Sequence, residues 1–191
     1  MSSARRATSS RKRGGFIRDA IEYIVLLVVV FAVFWAGRVF VVEPYSIPSG
    51  SMETTLMIND CVFSEKVSYH LRDVQQGDIV TFADPEVEGR TLIKRVIATE
   101  GQTVDLVNGA VSVDGQVLDE PYTHGLPSEE LTPARNVQIS YPYTVPAGYV
   151  WVMGDNRTNS ADSRYFGAVP TSNITGRAVA IYWPLNRIAT L

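Results

Sequence analysis

The sequence predicts a mainly β, antiparallel domain preceded by one transmembrane helix. Three observations lead there. An apolar run of membrane length stands near the N-terminus, from Tyr23 to Val42. Behind it the pattern changes to short β-branched and aromatic runs bounded by turn residues. Two turn pairs, Asn108-Gly109 and Asp114-Gly115, are spaced for consecutive hairpins. A chain of 191 residues has room for one compact domain plus an anchor, not two full domains.

The apolar run contains one charge, Arg38, placed near its end where it can snorkel outward. At about 1.5 Å per residue the run covers roughly 30 Å, the hydrocarbon thickness of a bilayer. Tyr23 and Trp35 suit its interfaces. A removable signal peptide is the alternative, but a cut after Ala36 or Gly37 would leave Phe34 or Trp35 at a position that wants a small residue. The net charge of −3 hides an asymmetry: residues 1–18 hold Arg5, Arg6, Arg11, Lys12, Arg13 and Arg18 and no acid, so the remainder sums to −9. By the positive-inside rule the head is cytoplasmic. The expected organisation is a basic cytoplasmic tail over 1–20, a signal anchor over 21–42 and an extracytoplasmic domain over 43–191. The acidic body excludes nucleic acid as a partner, since phosphate binding needs a basic face.

In that body, strands are expected at Cys61–Val67, Asp78–Phe82 and Thr91–Thr99. Val104–Val107, Ala110–Val113 and Gln116–Leu118 follow, joined by the two turn pairs. Residues 119–147, rich in Pro, Glu, Thr and Gly, read as a loop with an edge strand around Val137–Ser140. Tyr149–Met153 and Ala178–Trp183 complete the set. Residues 101–150 thus form a short β extension and loop. Cys61 is the only cysteine, so no internal disulfide can form. With His70 and His124 it lacks metal-ligand spacing, and no zinc site is expected.

Three segments carry chemistry. Ser49 and Ser51 stand in Pro48-Ser49-Gly50-Ser51-Met52, a few residues beyond the anchor and so close to the membrane. Alone they are equally ordinary turn residues. In the strand Leu92–Ile97, Lys94 shares a face with Leu92 and Val96. Burial there would depress its pKa and supply the neutral amine a general base needs; on a solvated face it would simply meet water. The string from Gly154 to Arg164 packs Asp155, Asn156, Arg157, Asn159, Ser160, Asp162, Ser163 and Arg164 together, which suggests an interlocked network. Asp162 and Arg164 can pair to fix it, leaving the Ser160 hydroxyl to orient the lysine. A serine with a lysine is a nucleophile activated by an amine instead of an imidazole.

In these motifs the chain resembles bacterial type I signal peptidases, membrane-bound serine proteases that remove signal peptides from exported proteins. The resemblance runs in order through the anchor, Pro48–Leu56, Gly77–Phe82, Ile93–Ile97 and Gly154–Gly167. It implies Ser51 as nucleophile, Lys94 as general base, and an oxyanion hole from the Ser49 hydroxyl and the Ser51 backbone N–H. Ser160 would position Lys94, with Asp155, Asp162 and Arg164 in support. It also implies no metal or organic cofactor, signal peptides of exported pre-proteins as partners, the lipid bilayer as setting, and proximity to the export translocon. The implied fold is an antiparallel β catalytic domain with a smaller β extension. The chain departs from the family pattern at Thr54, where proline is usual, and at Asn59, where glycine is common. Ala98 and Gln102 also differ. Two other readings compete: a self-cleaving Ser-Lys repressor-type protease, disfavoured by the anchor, and a non-catalytic membrane-anchored β binding module.

Overall fold

A computed structural model describes residues 13–191, in two units that divide at Val41/Val42. Arg5, Arg6, Arg11 and Lys12 of the basic head lie outside the described residues, as does the side chain of Arg38. The first unit is the helix α1, Arg13–Phe40. The large apolar side chains described between Ile21 and Trp35 are exposed. Among the described residues no helix is long and apolar enough to cross a membrane; the part of α1 whose side chains are described, 18–35, includes Arg18, Asp19 and Glu22. The helical run also stops short of its expected end at Val42. Val41 N–H closes the last turn on the Gly37 carbonyl, and Val42 is already paired with Glu65 as strand.

The second unit contains the strands β1 Val42–Ser46, β2 Cys61–Glu65, β3 Ile79–Ala83, β4 Thr91–Thr99, β5 Thr103–Val107 and β6 Ala110–Val113. They continue as β7 Gln116–Val117, β8 Tyr143–Thr144, β9 Tyr149–Met153, β10 Val169–Pro170, β11 Ile174–Trp183 and β12 Ala189–Thr190. Two short helices, α2 Ser68–Leu71 and α3 Ser163–Phe166, interrupt them. The main sheet runs β1-β2-β11-β3-β4-β9-β10, with β12 also on β11, and every pair is antiparallel. The second sheet runs β7-β6-β5-β8. The expected antiparallel β body with a small β extension is therefore what forms.

Local chemistry explains the extension. Asn108 and Gly109 take φ of 52° and 80°, and Asp114 and Gly115 take 53° and 78°. Both residues of each pair lie in the left-handed region, as the tight hairpin turns matching strand twist demand. One expected strand fails: Val137–Ser140 is irregular. Val137 N–H turns back to the Ala134 carbonyl, and Ile139 packs against the core around Trp151 without pairing. The fourth strand of the extension is Tyr143–Thr144 instead, set against Thr103 and Val104. β1, β10 and β12 have no strong period of their own; β10 and β12 exist because a longer neighbour offers its edge, and β1 pairs with β2 along its full length.

Three apolar clusters hold the unit. One joins both sheets through Ile97, Val104, Val111, Val113, Trp151 and Met153. A second gathers Ile47, Met52, Leu56, Val62, Ile79 and Ile181. The third contains Val80, Phe82, Val96, Val152, Phe166 and Val169. Each such side chain contributes about 1.5–3 kcal/mol on burial. Met52 and Leu56 are fully buried, so the loop between β1 and β2 is anchored by its own hydrophobic residues.

Candidate active site

The loop 47–60 is tied at its base by Ile47 N–H to the Asp60 carbonyl and Asn59 N–H to the Ile47 carbonyl, at 2.9 and 2.8 Å. Asn59 accepts φ of 71°, a conformation asparagine tolerates, so the departure from glycine costs the loop nothing in shape. The Asp60 carboxylate takes two bonds from Arg187 Nε and one from its Nη2, pinning the base a second time. Within the loop, Gly50–Met52 forms one 3₁₀ turn. Ser49 precedes it with extended backbone and does not spend its hydroxyl on capping the turn.

This turn meets the middle of β4. Lys94 Nζ lies 2.6 Å from Ser51 Oγ and also donates to the Ile93 carbonyl at 3.0 Å. Only 3% of Lys94 is exposed. Its flanks, Leu92 and Val96, belong to the third apolar cluster together with its cross-strand neighbour Val80. The sequence left burial and solvation open for this lysine; burial is what occurs. Desolvation pushes the amine down to about 8, against the pull of the Asp162, Asp155 and Asp84 carboxylates, which favour the charged form.

The loop after β9 supports the pair from the other side. Asn156 grips the serine turn twice: its backbone N–H bonds the Ser51 carbonyl at 3.2 Å and its side-chain Nδ2 bonds the Gly50 carbonyl at 3.0 Å. Asp155 is fully buried and accepts two bonds from Arg95, at 2.8 and 2.7 Å, and one from the Thr55 hydroxyl. Asp162 caps α3, accepts from Gly154 N–H at 3.0 Å, and takes a forked pair of bonds from Arg164. Arg164 in turn bonds the Arg157 and Glu129 carbonyls. Two buried carboxylates are thus each matched to a guanidinium in bidentate geometry, the strongest form of such a pair.

Gly154 is where the loop passes Ser51. A Cβ there would collide with the Ser51 carbonyl oxygen and the Ser160 side chain. Ser160 is therefore at the site, but its buried hydroxyl has no hydrogen-bond partner, and the Lys94 amine bonds Ser51 and Ile93 instead. The expected Ser160-to-lysine hydrogen bond is not formed. The fold brings Ser51, Lys94, Asp155, Asp162, Arg164 and Ser160 together, with Ser49 at the exposed rim.

Sequence reasoning passed over Arg95 and Thr55, and placed Asn156 in the polar string without its grip on the serine turn. Arg95 projects from the face of β4 opposite Lys94, so strand alternation alone separates it from the site. The string 154–167 holds two acids and two arginines, so its own charge balance gives no signal that Arg95 answers Asp155 and that Arg157 turns to Glu120. A hydroxyl within bonding distance of a buried amine of depressed pKa, with backbone N–H groups near the turn, can transfer an acyl group through that hydroxyl.

Residues 20–183 match the family described as signal peptidase, peptidase S26. A signal peptidase I of Leptolyngbya laminosa is 38% identical over 195 residues, covering 98% of this chain and 90% of that protein. A probable signal peptidase I-1 of Synechocystis is 44% identical over 173 residues, covering 87% and 84%. A crystal structure of a signal peptidase I from Enterococcus faecalis is 31% identical with a TM-score of 0.46, over 56% of this chain and 97% of that one. On its sequence, this chain belongs to the signal peptidase family, peptidase S26.

Proposed function

We propose that the chain is a serine endopeptidase that removes N-terminal signal peptides from exported pre-proteins, with Ser51 as nucleophile and the neutral Lys94 amine as its general base. The observation that carries this reading is the 2.6 Å approach of Lys94 Nζ to Ser51 Oγ inside an apolar wall. At a pKa of about 8 the amine is neutral in roughly a tenth of molecules at pH 7 and in most above pH 9. Lys94 takes the Ser51 proton as Oγ attacks the scissile carbonyl, and returns it to the leaving amine. Water then attacks the acyl-enzyme with the same lysine as base. The oxyanion would form against the Ser51 N–H and the Ser49 hydroxyl.

Strand-like substrate binding fits the register of β4. β9 pairs with β4 only between Arg95 and Thr99, which leaves Thr91–Lys94 without a β9 partner on that side. An extended peptide added there would send alternate side chains toward the wall. With the family's preference, small residues chiefly Ala are expected at the first and third positions before the cut. The apolar side chains exposed from Ile21 to Trp35 support an anchor over 21–42 in the cytoplasmic membrane; the basic head puts the N-terminus on the cytoplasmic side and the body outside, and the family resemblance puts the export translocon nearby. In this arrangement the bilayer holds the enzyme where signal peptides emerge.

Full-length protein in detergent should cleave a pre-protein after an Ala-x-Ala sequence and fail when Phe or Trp replaces the third residue before the cut. Ser51→Ala should neither cleave nor be labelled by a penem acylating agent. Cleavage by Ser51→Ala at the wild-type rate would end the reading. Protease added to intact spheroplasts should digest the body and spare the head.

A further inference from the structure

The extension reaches Arg157 of the active-site loop through one short segment, Glu120–Ser128. Arg157, one residue past the clamp Asn156, is 1% exposed in its side chain yet fully engaged. Its Nη1 and Nη2 bond the two Glu120 carboxylate oxygens at 2.7 and 2.5 Å, Nη1 also bonds the Ser128 hydroxyl, and Nε bonds the Gly154 carbonyl. Next to Glu120, the Tyr122 ring lies 4.0 Å under the Arg95 guanidinium and 5.9 Å from that of Arg157. Its hydroxyl donates back to Glu120 Oε1 at 2.7 Å. Two residues of the extension therefore serve Arg157 of the loop and Arg95 of β4.

We infer that Glu120 and Tyr122 are positioning residues that set the nucleophile of this peptidase, acting through Arg157 and Arg95 on the Asp155-Asn156 clamp. The route is short. Arg95 fixes Asp155, which holds Thr55 of the serine loop. Arg157 fixes the Gly154 carbonyl, beside which Asn156 grips Gly50 and Ser51. The Tyr122 ring covers the Arg95–Asp155 pair and keeps water from competing for it, while its face attracts the cation. Glu120 neutralises the one guanidinium of the loop for which Asp155 and Asp162 leave no carboxylate. Without it, Arg157 would be a buried uncompensated charge one residue from the clamp. None of this touches substrate. It acts through the placement of Ser51 Oγ against Lys94, where an error of about 1 Å costs on the order of 100-fold in rate.

The inference rests on the peptidase reading above for its consequence, not for its geometry, and the test separates the two. Full-length wild type, Glu120→Gln, Tyr122→Leu and Tyr122→Phe are compared for the rate of Ser51 acylation by a penem, for kcat and KM on a pre-protein, and for peptide-level amide exchange. Glu120→Gln and Tyr122→Leu should slow acylation and kcat about 10- to 100-fold with KM little changed. Exchange should rise in the peptides covering 50–56 and 153–159 and stay at wild type in β3 and β11. Tyr122→Phe keeps the ring over Arg95 and should stay within about threefold of wild type. Where Glu120→Gln loses the fold, the Tyr122 pair carries the comparison. Wild-type exchange and acylation in Tyr122→Leu would overturn the inference, as would losses spread evenly over the body. A wild type that is never acylated would count against Ser51 as nucleophile, while the exchange pattern would still decide whether Glu120 and Tyr122 hold the serine loop.

Discussion

Gly154 lies so close to Ser51 that no side chain can stand between them. The backbone at Gly154 does not take a positive φ, so the need for glycine there is one of space alone. Gly154→Ala should therefore push the loop away from the serine turn. The expected result is a destabilisation of about 1–3 kcal/mol from overpacking and a fall in kcat on the order of 100-fold from misplacement of Ser51, the proposed nucleophile. Denaturant unfolding and steady-state cleavage measure the two. Unchanged kcat would mean that the loop does not position Ser51.

The Ser51–Lys94 pair should behave as a unit. Lys94→Arg keeps the length and loses the neutral form, because a guanidinium stays charged at any ordinary pH. It should bind signal peptides and lose nearly all turnover, as should Ser51→Ala, and the double mutant should be little worse than either. Substantial turnover in Lys94→Arg would show that another group takes the serine proton.

Turnover should climb with pH through about 8, where the buried amine loses its proton. Stability should move the same way. The folded pKa lies below the usual lysine value of 10.5, so between about pH 8 and 10.5 the unfolded chain holds a proton that the folded chain has released. Stability contributed by this group rises across that window. Below about pH 8 both states are charged and the cost of burying the ammonium is present in full, on the order of 3 kcal/mol for a shift of this size. Lys94→Met should thus be inactive yet at least as stable as wild type at pH 7, the trade-off expected where an amine is kept desolvated for activity. A variant clearly less stable at pH 7 would show that the hydrogen bonds of Lys94 outweigh its desolvation.

Asp162 and Arg164 are both essentially unexposed. Asp162→Asn leaves the guanidinium buried without its charge partner and should cost about 3–5 kcal/mol. Replacing both residues by apolar ones of similar volume should cost less. Urea midpoints of the single and double variants give the comparison, and an equal or larger loss in the double variant would contradict it.

Sequence alone determined the strands whose period is strong. Thr91–Thr99, Ala110–Val113 and Tyr149–Met153 stand where alternation and turn residues place them, and the two hairpins follow from Asn-Gly and Asp-Gly backbones. It also singled out the segments that meet at the candidate site, because a serine turn, a strand lysine and a polar string each have a local pattern. Tertiary structure decided everything that depends on what lies across the sheet. Whether Lys94 meets water or Val80 is a matter of pairing, not of its own neighbours in the chain. The Val137–Ser140 segment has strand-like residues but finds no edge to join. Arg95, Thr55 and Glu120 are far apart in sequence from the loop they hold. Their roles arise because a buried carboxylate or guanidinium must be answered by an opposite group, and only the fold determines which one is within reach.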